Sequence, residues 1–452
     1  MSVYKLLMTI LLSVFITFAT SPKSRSQEIW SLERCINYAL ENNIIIKQQE
    51  LSTMVSENTL AQSKLARLPS LNANSQVSFN YGRVLDFQTN TYMDRNTQAF
   101  SYNSTTQLPL FNGFQITNTI KRNNLDLMAS LADLERLKND VSLNIASAYL
   151  QILFSMELLS IAEGQVEITR QQVERTRRLV DAGSLPQGNL LEIQAQEASE
   201  NLSVVNARNN LTIAYLTLSQ LLELPTADNF TIEVPDFDHI PVQSPDYMVT
   251  SVYEAALETQ PQIQSYEYLL SSSEMGLSIA KGRRYPQLFL SGSYGSGYQR
   301  VSTESDLPFE NPPFEDQIRN NQRTTFAFGL SIPIFNAGQV NLAVSNARIG
   351  VLNSEYALQR TKNELYQQIQ QAYADVVAAH ENFIATEVAL ESIEESFRHM
   401  SQRFEVGMVT TVEFNQALNQ LTITQSELLR AKYEYLFKTN VLEFYMGNEI
   451  SL

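Results

Sequence analysis

Two halves of this chain repeat each other at a nearly constant offset, and that duplication limits the available folds more than any other feature. Tyr38-Ala39-Leu40-Glu41 returns as Ala255-Ala256-Leu257-Glu258, and Leu68-Pro69-Ser70-Leu71 returns at the same offset as Tyr285-Pro286-Gln287-Leu288. Leu108-Pro109-Leu110-Phe111-Asn112-Gly113 returns as Ile332-Pro333-Ile334-Phe335-Asn336-Ala337, and Asp181-Ala182-Gly183 as Glu405-Val406-Gly407. These two pairs share a slightly larger offset. Pro109 to Gly183 and Pro333 to Gly407 are equally long, so that stretch tolerates no insertion. The seven extra residues of the second copy all fall between Pro286 and Pro333. One part of each repeat is length-locked, and the other is free to vary.

The length-locked part reads as a long coiled-coil helix. Alternating steps of four and three from Leu134 meet Lys138, Val141, Ile145, Ala148, Ile152, Ser155, Leu159, Ala162, Val166, Thr169, Val173, Thr176 and Val180. The same count from the matching residue of the second copy meets Leu358, Lys362, Leu365, Ile369, Ala372, Val376, Ala379, Phe383, Thr386, Leu390, Ile393, Phe397, Met400 and Phe404. A largely apolar seam held for about six heptads is a coiled-coil signature. No proline interrupts either stretch before the glycine, so each helix is expected to run roughly 90–100 Å at 1.5 Å per residue. Gly183 and Gly407 are the expected stops, because glycine takes the left-handed conformation that ends a helix. A return helix follows each, from about Gln187 to Leu224 and from about Thr411 to Tyr445, giving helical hairpins over about 114–224 and 339–446.

The variable part reads as two β-hairpins, with strands over about 71–84, 98–110, 287–299 and 323–335. Leu71, Val77, Phe79 and Tyr81 alternate with Asn72, Asn74, Gln76, Ser78 and Asn80; Phe326, Phe328, Leu330 and Ile332 alternate with Thr325, Ala327, Gly329 and Ser331. Runs of roughly ten residues, apolar on one side and small or polar on the other, are the pattern of outer-membrane barrel strands. Residues 27–225 and 248–447 are thus the two structural repeats, 226–247 with its prolines the linker between them, and 448–452 a C-terminal tail.

Composition narrows the setting. Residues 1–26 read as a secretory signal: Lys5 gives the positive start, Leu6 to Phe18 the apolar stretch, and Ser24-Arg25-Ser26 the small residues before a cut. Nothing after residue 27 is expected to be apolar for long enough to cross a bilayer as a helix. Beyond the signal the chain has 29 basic and 48 acidic residues, a net charge of −19, which argues against nucleic acid. Cys35, the single cysteine, allows no intrachain disulfide. It follows Leu32-Glu33-Arg34, which is not the small-apolar context of a lipidated cysteine, so no lipid anchor is expected.

Four strands cannot close a barrel, and an open sheet edge is not viable in lipid. The chain must therefore share a barrel with at least one further copy of itself. Helices long enough to cross most of a periplasm, joined to such a barrel, describe a tube. These features, with the two glycine tips and the paired P-L-F-N-G and P-I-F-N-A joints, resemble the TolC family of outer-membrane efflux and secretion proteins over about residues 30–447. The resemblance implies an α plus membrane β-barrel fold: a homotrimer with one twelve-stranded barrel in outer-membrane lipid and a twelve-helix periplasmic tunnel. It implies a passive exit duct of a tripartite efflux pump or type I secretion system in a Gram-negative-type cell. No reaction and no cofactor are implied. The partners would be a periplasmic adaptor and an inner-membrane pump of the RND, ABC or MFS type.

The resemblance also implies site residues. The tips that meet the adaptor correspond to Ala182, Gly183, Ser184 and Leu185, and to Val406, Gly407, Met408 and Val409. The constricting positions, six and nine beyond the second glycine, are Glu413 and Gln416; their first-repeat counterparts are Asn189 and Glu192. Three copies of Glu413 around a threefold axis would form a cation-preferring ring whose like charges raise one another's pKa. The inter-helix lock of the best-known member needs a tyrosine and an aspartate where this chain has Phe404 and Asn189, so a closed state would be held differently. No catalytic or metal site is expected: His239, His380 and His399 are scattered, and Glu391, Glu395 and His399 have the spacing of a solvated helix face. Gly292-Ser293-Tyr294-Gly295-Ser296-Gly297 lacks a phosphate-loop lysine and lies in a strand pattern. The competing reading, a secreted coiled-coil protein or adhesin without a pore, explains the heptads but not four amphipathic strands placed symmetrically in a duplication.

Overall fold

The computed structural model describes residues 28–86, 90–225, 230–235, 247–303 and 311–448. The signal segment, His239 and most of the linker lie outside the described residues. The elements run β1 (Glu28–Trp30), α1 (Leu32–Asn42), α2 (Ile44–Leu65), β2 (Ser70–Asn80), β3 (Arg83–Asp86), β4 (Thr91–Asn112), α3 (Gln115–Asp181) and α4 (Gln187–Leu221). They continue as β5 (Phe230–Ile232), α5 (Val249–Thr259), α6 (Pro261–Gly282), β6 (Gln287–Thr303), α7 (Phe314–Asn320), β7 (Arg323–Ser331), α8 (Gln339–Glu405) and α9 (Thr411–Tyr445). The long helices match residue for residue between repeats: 11 and 11, 22 and 22, 67 and 67, 35 and 35. All the variation sits in the strands and in α7.

The chain packs as two compact units that cut across the duplication, each taking segments from both repeats. The first comprises residues 1–48, 136–260 and 365–452, the second 49–135 and 261–364. In the first unit every position of the two heptad seams from residue 136 to 180 and from 365 to 404 is buried or half-buried. Ile145, Ile152, Leu365, Ile369 and Val376 are fully enclosed. Burying such a side chain contributes about 1.5–3 kcal/mol, so the seam dominates this core. β1 and β5 pair in parallel, and the buried Tyr149 hydroxyl sits 3.1 Å from the Trp30 carbonyl and 2.6 Å from that of Glu233. Part of the segment read as a linker is therefore a strand.

One expectation is overturned here. α3 is long and apolar enough over one 18-residue window to cross a membrane by length and composition, and 44% of that window is buried. The apolarity has a packing cause: beside the seam, Ala146, Tyr149, Leu150 and Leu153 form a second buried row.

In the second unit the strands are ordered β2-β4-β6-β7, all antiparallel, with β3 on the far end of β4. β2 and β7 end this path, each with one edge unpaired among the described residues. The register puts Leu71, Val77, Phe100, Tyr102, Tyr294, Tyr298, Phe326, Phe328 and Leu330 on one face. Asn72, Asn74, Asn103, Thr105, Ser291, Ser293 and Thr325 share the other. The apolar face is open: Phe326 and Phe328 are 76% and 75% exposed. β4 begins at Thr91, well before the expected 98, because it also carries β3. β7 stops at Ser331, short of 335, since Pro333 has no N–H to give a ladder. Gly292 to Gly297 lie inside β6, paired as an ordinary strand.

At the strand-to-helix joints two successive residues take left-handed backbone: Gly113 and Phe114 (φ 64 and 62), then Ala337 and Gly338 (φ 50 and 81). Glycine is required at 113 for a second reason, since a Cβ there would collide with the Gly282 carbonyl oxygen.

Candidate functional site: the helix-hairpin tips and return helices

Both tips end in the same backbone turn. Gly183 has φ 73 and Gly407 φ 75. In the first, Ser184 N–H donates to Leu179 O (2.8 Å) and Gly183 N–H to Val180 O (2.9 Å). In the second, Met408 N–H donates to Arg403 O (2.9 Å) and Gly407 N–H to Phe404 O (3.1 Å). This pair of bonds is the Schellman closure, which satisfies carbonyls left over at a helix end. Ala182, Gly183, Ser184, Val406, Gly407 and Met408 are all exposed, while Leu185 and Val409 are half-buried.

The return helices start differently. α9 opens with a full capping box: the Thr410 hydroxyl accepts from Glu413 N–H at 3.3 Å, and a Glu413 carboxylate oxygen accepts from Thr410 N–H at 2.8 Å. The same oxygen is 2.9 Å from the Thr410 hydroxyl. The backbone bond from Thr410, its hydroxyl and the positive charge of Arg403 hold the Glu413 carboxyl below the usual glutamate range. Within one chain the pull on Glu413 is thus opposite to the one expected of a like-charge ring. α4 starts from Pro186 with no side-chain cap; there Asn189 N–H donates to Pro186 O (3.2 Å). Glu413, Gln416 and Glu192 are exposed and Asn189 is half-buried.

Sequence reasoning missed how the hairpins are tied. Arg175 of α3 donates to the Glu405 carbonyl at 2.7 Å, placing a cation at the negative C-terminal end of α8. A polar layer joins α3, α4 and α9 further up. The Thr422 hydroxyl donates to Gln165 (2.7 Å), Gln165 and Gln196 both donate to the buried Glu200 (3.4 and 2.9 Å), and Gln196 reaches Asn419 (3.2 Å). The return helices are rich in Asn and Gln, which is the trace this layer leaves in the sequence. The two positions of the family lock are occupied otherwise: the Phe404 ring stacks on Phe414 at 4.5 Å, and Asn189 bonds within its own turn. Glu395 has its carboxylate taken by Arg398 (2.6 Å) and His399 (2.9 Å).

The family model described as outer membrane efflux protein matches residues 35–223 and 252–448, one segment in each repeat. Outer membrane efflux protein BepC of Brucella suis is 20% identical over 89% of this chain and 82% of its own length. Outer membrane protein TolC of Escherichia coli is 23% identical over 65% of this chain and 58% of its own length. Among solved structures, the outer membrane protein VceC of Vibrio cholerae superposes with a TM-score of 0.73 at 16% identity, covering 93% of this chain and 97% of that one. The chain belongs to the outer membrane efflux protein family, the outer-membrane exit ducts of efflux and secretion systems.

Proposed function

We propose that three copies of this chain form one duct, with a shared twelve-stranded barrel and a twelve-helix periplasmic tunnel, and that an adaptor and an energised inner-membrane pump feed it. The observation that carries this reading is the four-strand path with an apolar face and an unpaired edge at each end, β2 and β7. In lipid both edges need partners, and only another copy of the same sheet offers the complementary pair. The exposed apolar rows of α2 (Leu51, Met54, Val55, Leu65), which leads into β2, and of α8 (Leu342, Ile349, Leu352, Tyr356), which follows β7, support the same head-to-tail association.

The tips are the docking surface for the adaptor. Val406 and Met408 are 67% and 71% exposed around a turn that needs neither side chain for its own closure. Met408→Asp keeps the turn and is expected to abolish transport while leaving assembly intact. Normal efflux by that variant would overturn docking there.

Glu413 and Gln416, with Asn189 and Glu192 of the first repeat, line the periplasmic mouth. The capping box favours an ionised Glu413, against the mutual repulsion of such a ring. Single-channel recording in a planar bilayer tests this: Glu413→Gln should weaken cation preference and block by multivalent cations. An unchanged selectivity would reduce Glu413 to a helix cap.

A further inference from the structure

β6 outruns its neighbour. Its last residue paired with β7 is Gly295, opposite Arg323, yet the strand continues to Thr303. Beyond Gly295 one edge stays paired to β4, through Gln98 opposite Arg300 and Thr97 opposite Val301. The other edge should be a row of bare backbone groups, a liability in any sheet.

It is not bare. The Gln317 side chain accepts from Gln299 N–H (3.0 Å) and donates to Gln299 O (3.1 Å). Asn311 accepts from Val301 N–H (2.8 Å) and donates to Val301 O (2.9 Å). Asn321 donates to Gly297 O (2.7 Å). The bonded residues are 297, 299 and 301, every second one, which is the period at which an antiparallel strand turns its N–H and C=O to one side. A carboxamide side chain carries the same donor and acceptor as a peptide group, so two of these residues receive the pair of bonds a real strand would supply.

The segment is held by its own packing. The Phe314 ring lies 5.0 Å from that of Tyr298 and 5.9 Å from that of Phe100, on the apolar face. The Ser296 hydroxyl donates to Ile318 O at 2.6 Å. The remaining Gln317 donor goes to Pro312 O at 2.9 Å. The seven residues by which the second repeat exceeds the first also fall in this part of the chain. The first repeat completes the far end of β4 with a true strand, β3.

We infer that residues 311–321 act as a surrogate strand, closing the far edge of β6 within the chain, so that on this side of the sheet the edge left open to a second copy is β7 alone. The inference rests on the reading that copies join edge to edge. Mass measurement tests that reading separately, because the surrogate bonds form inside one chain whether or not copies assemble.

Hydrogen exchange resolved to single amides, on the full-length protein in detergent, tests the surrogate. In the wild type, Gln299 and Val301 should be protected. In Asn311→Ala/Gln317→Ala both should exchange at least tenfold faster, with Leu288 to Ser293 and the assembled mass unchanged. Should the double variant fail to fold, Gln317→Met reads the same effect at Gln299 alone. Wild-type protection persisting in the variants would mean that a strand from another copy covers this edge, and the inference would fall. Unprotected Gln299 and Val301 in the wild type would overturn it equally.

Discussion

Behind the first tip, Val173, Leu190 and Ile193 form a closed aliphatic cluster joined by Val180. At the matching positions behind the second stand Phe397, Phe414 and Phe404, with Ala417 in place of Ile193. Phe404 stacks on Phe414 at 4.5 Å and Phe397 lies 5.6 Å from it, with Phe414 only 1% exposed. The two Schellman bonds recur at both tips, so the duplication has kept the turn and exchanged core chemistry: three residues grew and a fourth shrank. The enclosure also differs. The seam of α3 is buried at Val173 and Thr176, close to its tip, whereas that of α8 is only half-buried from Thr386 to Phe404. Near its tip the first hairpin's seam is more deeply covered by its own chain than the second's.

The largest test of that contrast is truncation. Phe414→Ala should cost about 4 kcal/mol of local stability and Leu190→Ala about 3 kcal/mol, following the usual range for buried aromatic and aliphatic side chains. Hydrogen exchange along α9 and α4 would report each loss in its own hairpin; a loss spread equally over both would mean that the tips are one cooperative core.

A core transplant sharpens the comparison. Changing Phe397, Phe404 and Phe414 to Val, Val and Leu should be partly rescued by Ala417→Ile, with a coupling of about 1–2 kcal/mol, typical of residues sharing a cavity. Additive effects would deny that Ala417 compensates for the aromatics.

The caps give the next smaller effect. Thr410→Ala should cost about 1 kcal/mol, the usual value of a lost N-cap, while Pro186→Ala should change little because Pro186 makes no side-chain cap bond. The linkage has a definite sign. Glu413 is held below the ordinary glutamate range, so its stabilising contribution is present above that range and lost as pH falls through its lowered value. Carbon-13 titration of the Glu413 carboxyl should move up toward the ordinary range in Thr410→Val; an unmoved midpoint would remove the capping box as the cause.

The smallest effect belongs to the tie between the hairpins. Arg175→Gln should weaken the attachment of α3 to the end of α8 by about 0.5 kcal/mol, since an exposed charge at a helix terminus is screened by water and salt. The wild-type advantage should shrink as salt rises. Salt independence would point to the hydrogen bond alone.

Much of this was legible in the sequence because it is periodic. The heptad seams recur at every third or fourth position and the strand alternation at every second. The fixed offset between repeats then carried each assignment from one copy to the other. What escaped has no period. β1 and β5 are three residues each and exist only because distant segments meet. The same holds for Arg175, which reaches the carbonyl of the distant Glu405, and for Asn311 and Gln317, whose amides act as backbone. The second apolar row of α3 was visible as composition, but its purpose needed Tyr149 and the β1–β5 pair to be seen together. Among the site residues, the tips were readable from their glycines. The cap formed by Thr410 and Glu413 was also present as a T-x-x-E pattern.

In a membrane the edges of β2 and β7, unpaired among the described residues, need other copies of the chain to complete them. Native mass spectrometry of the detergent-extracted protein, with conductance recorded on the same preparation, tests it most directly. The expected outcome is a single species of three times the chain mass that conducts in a planar bilayer. A monodisperse single chain that still conducts would contradict it.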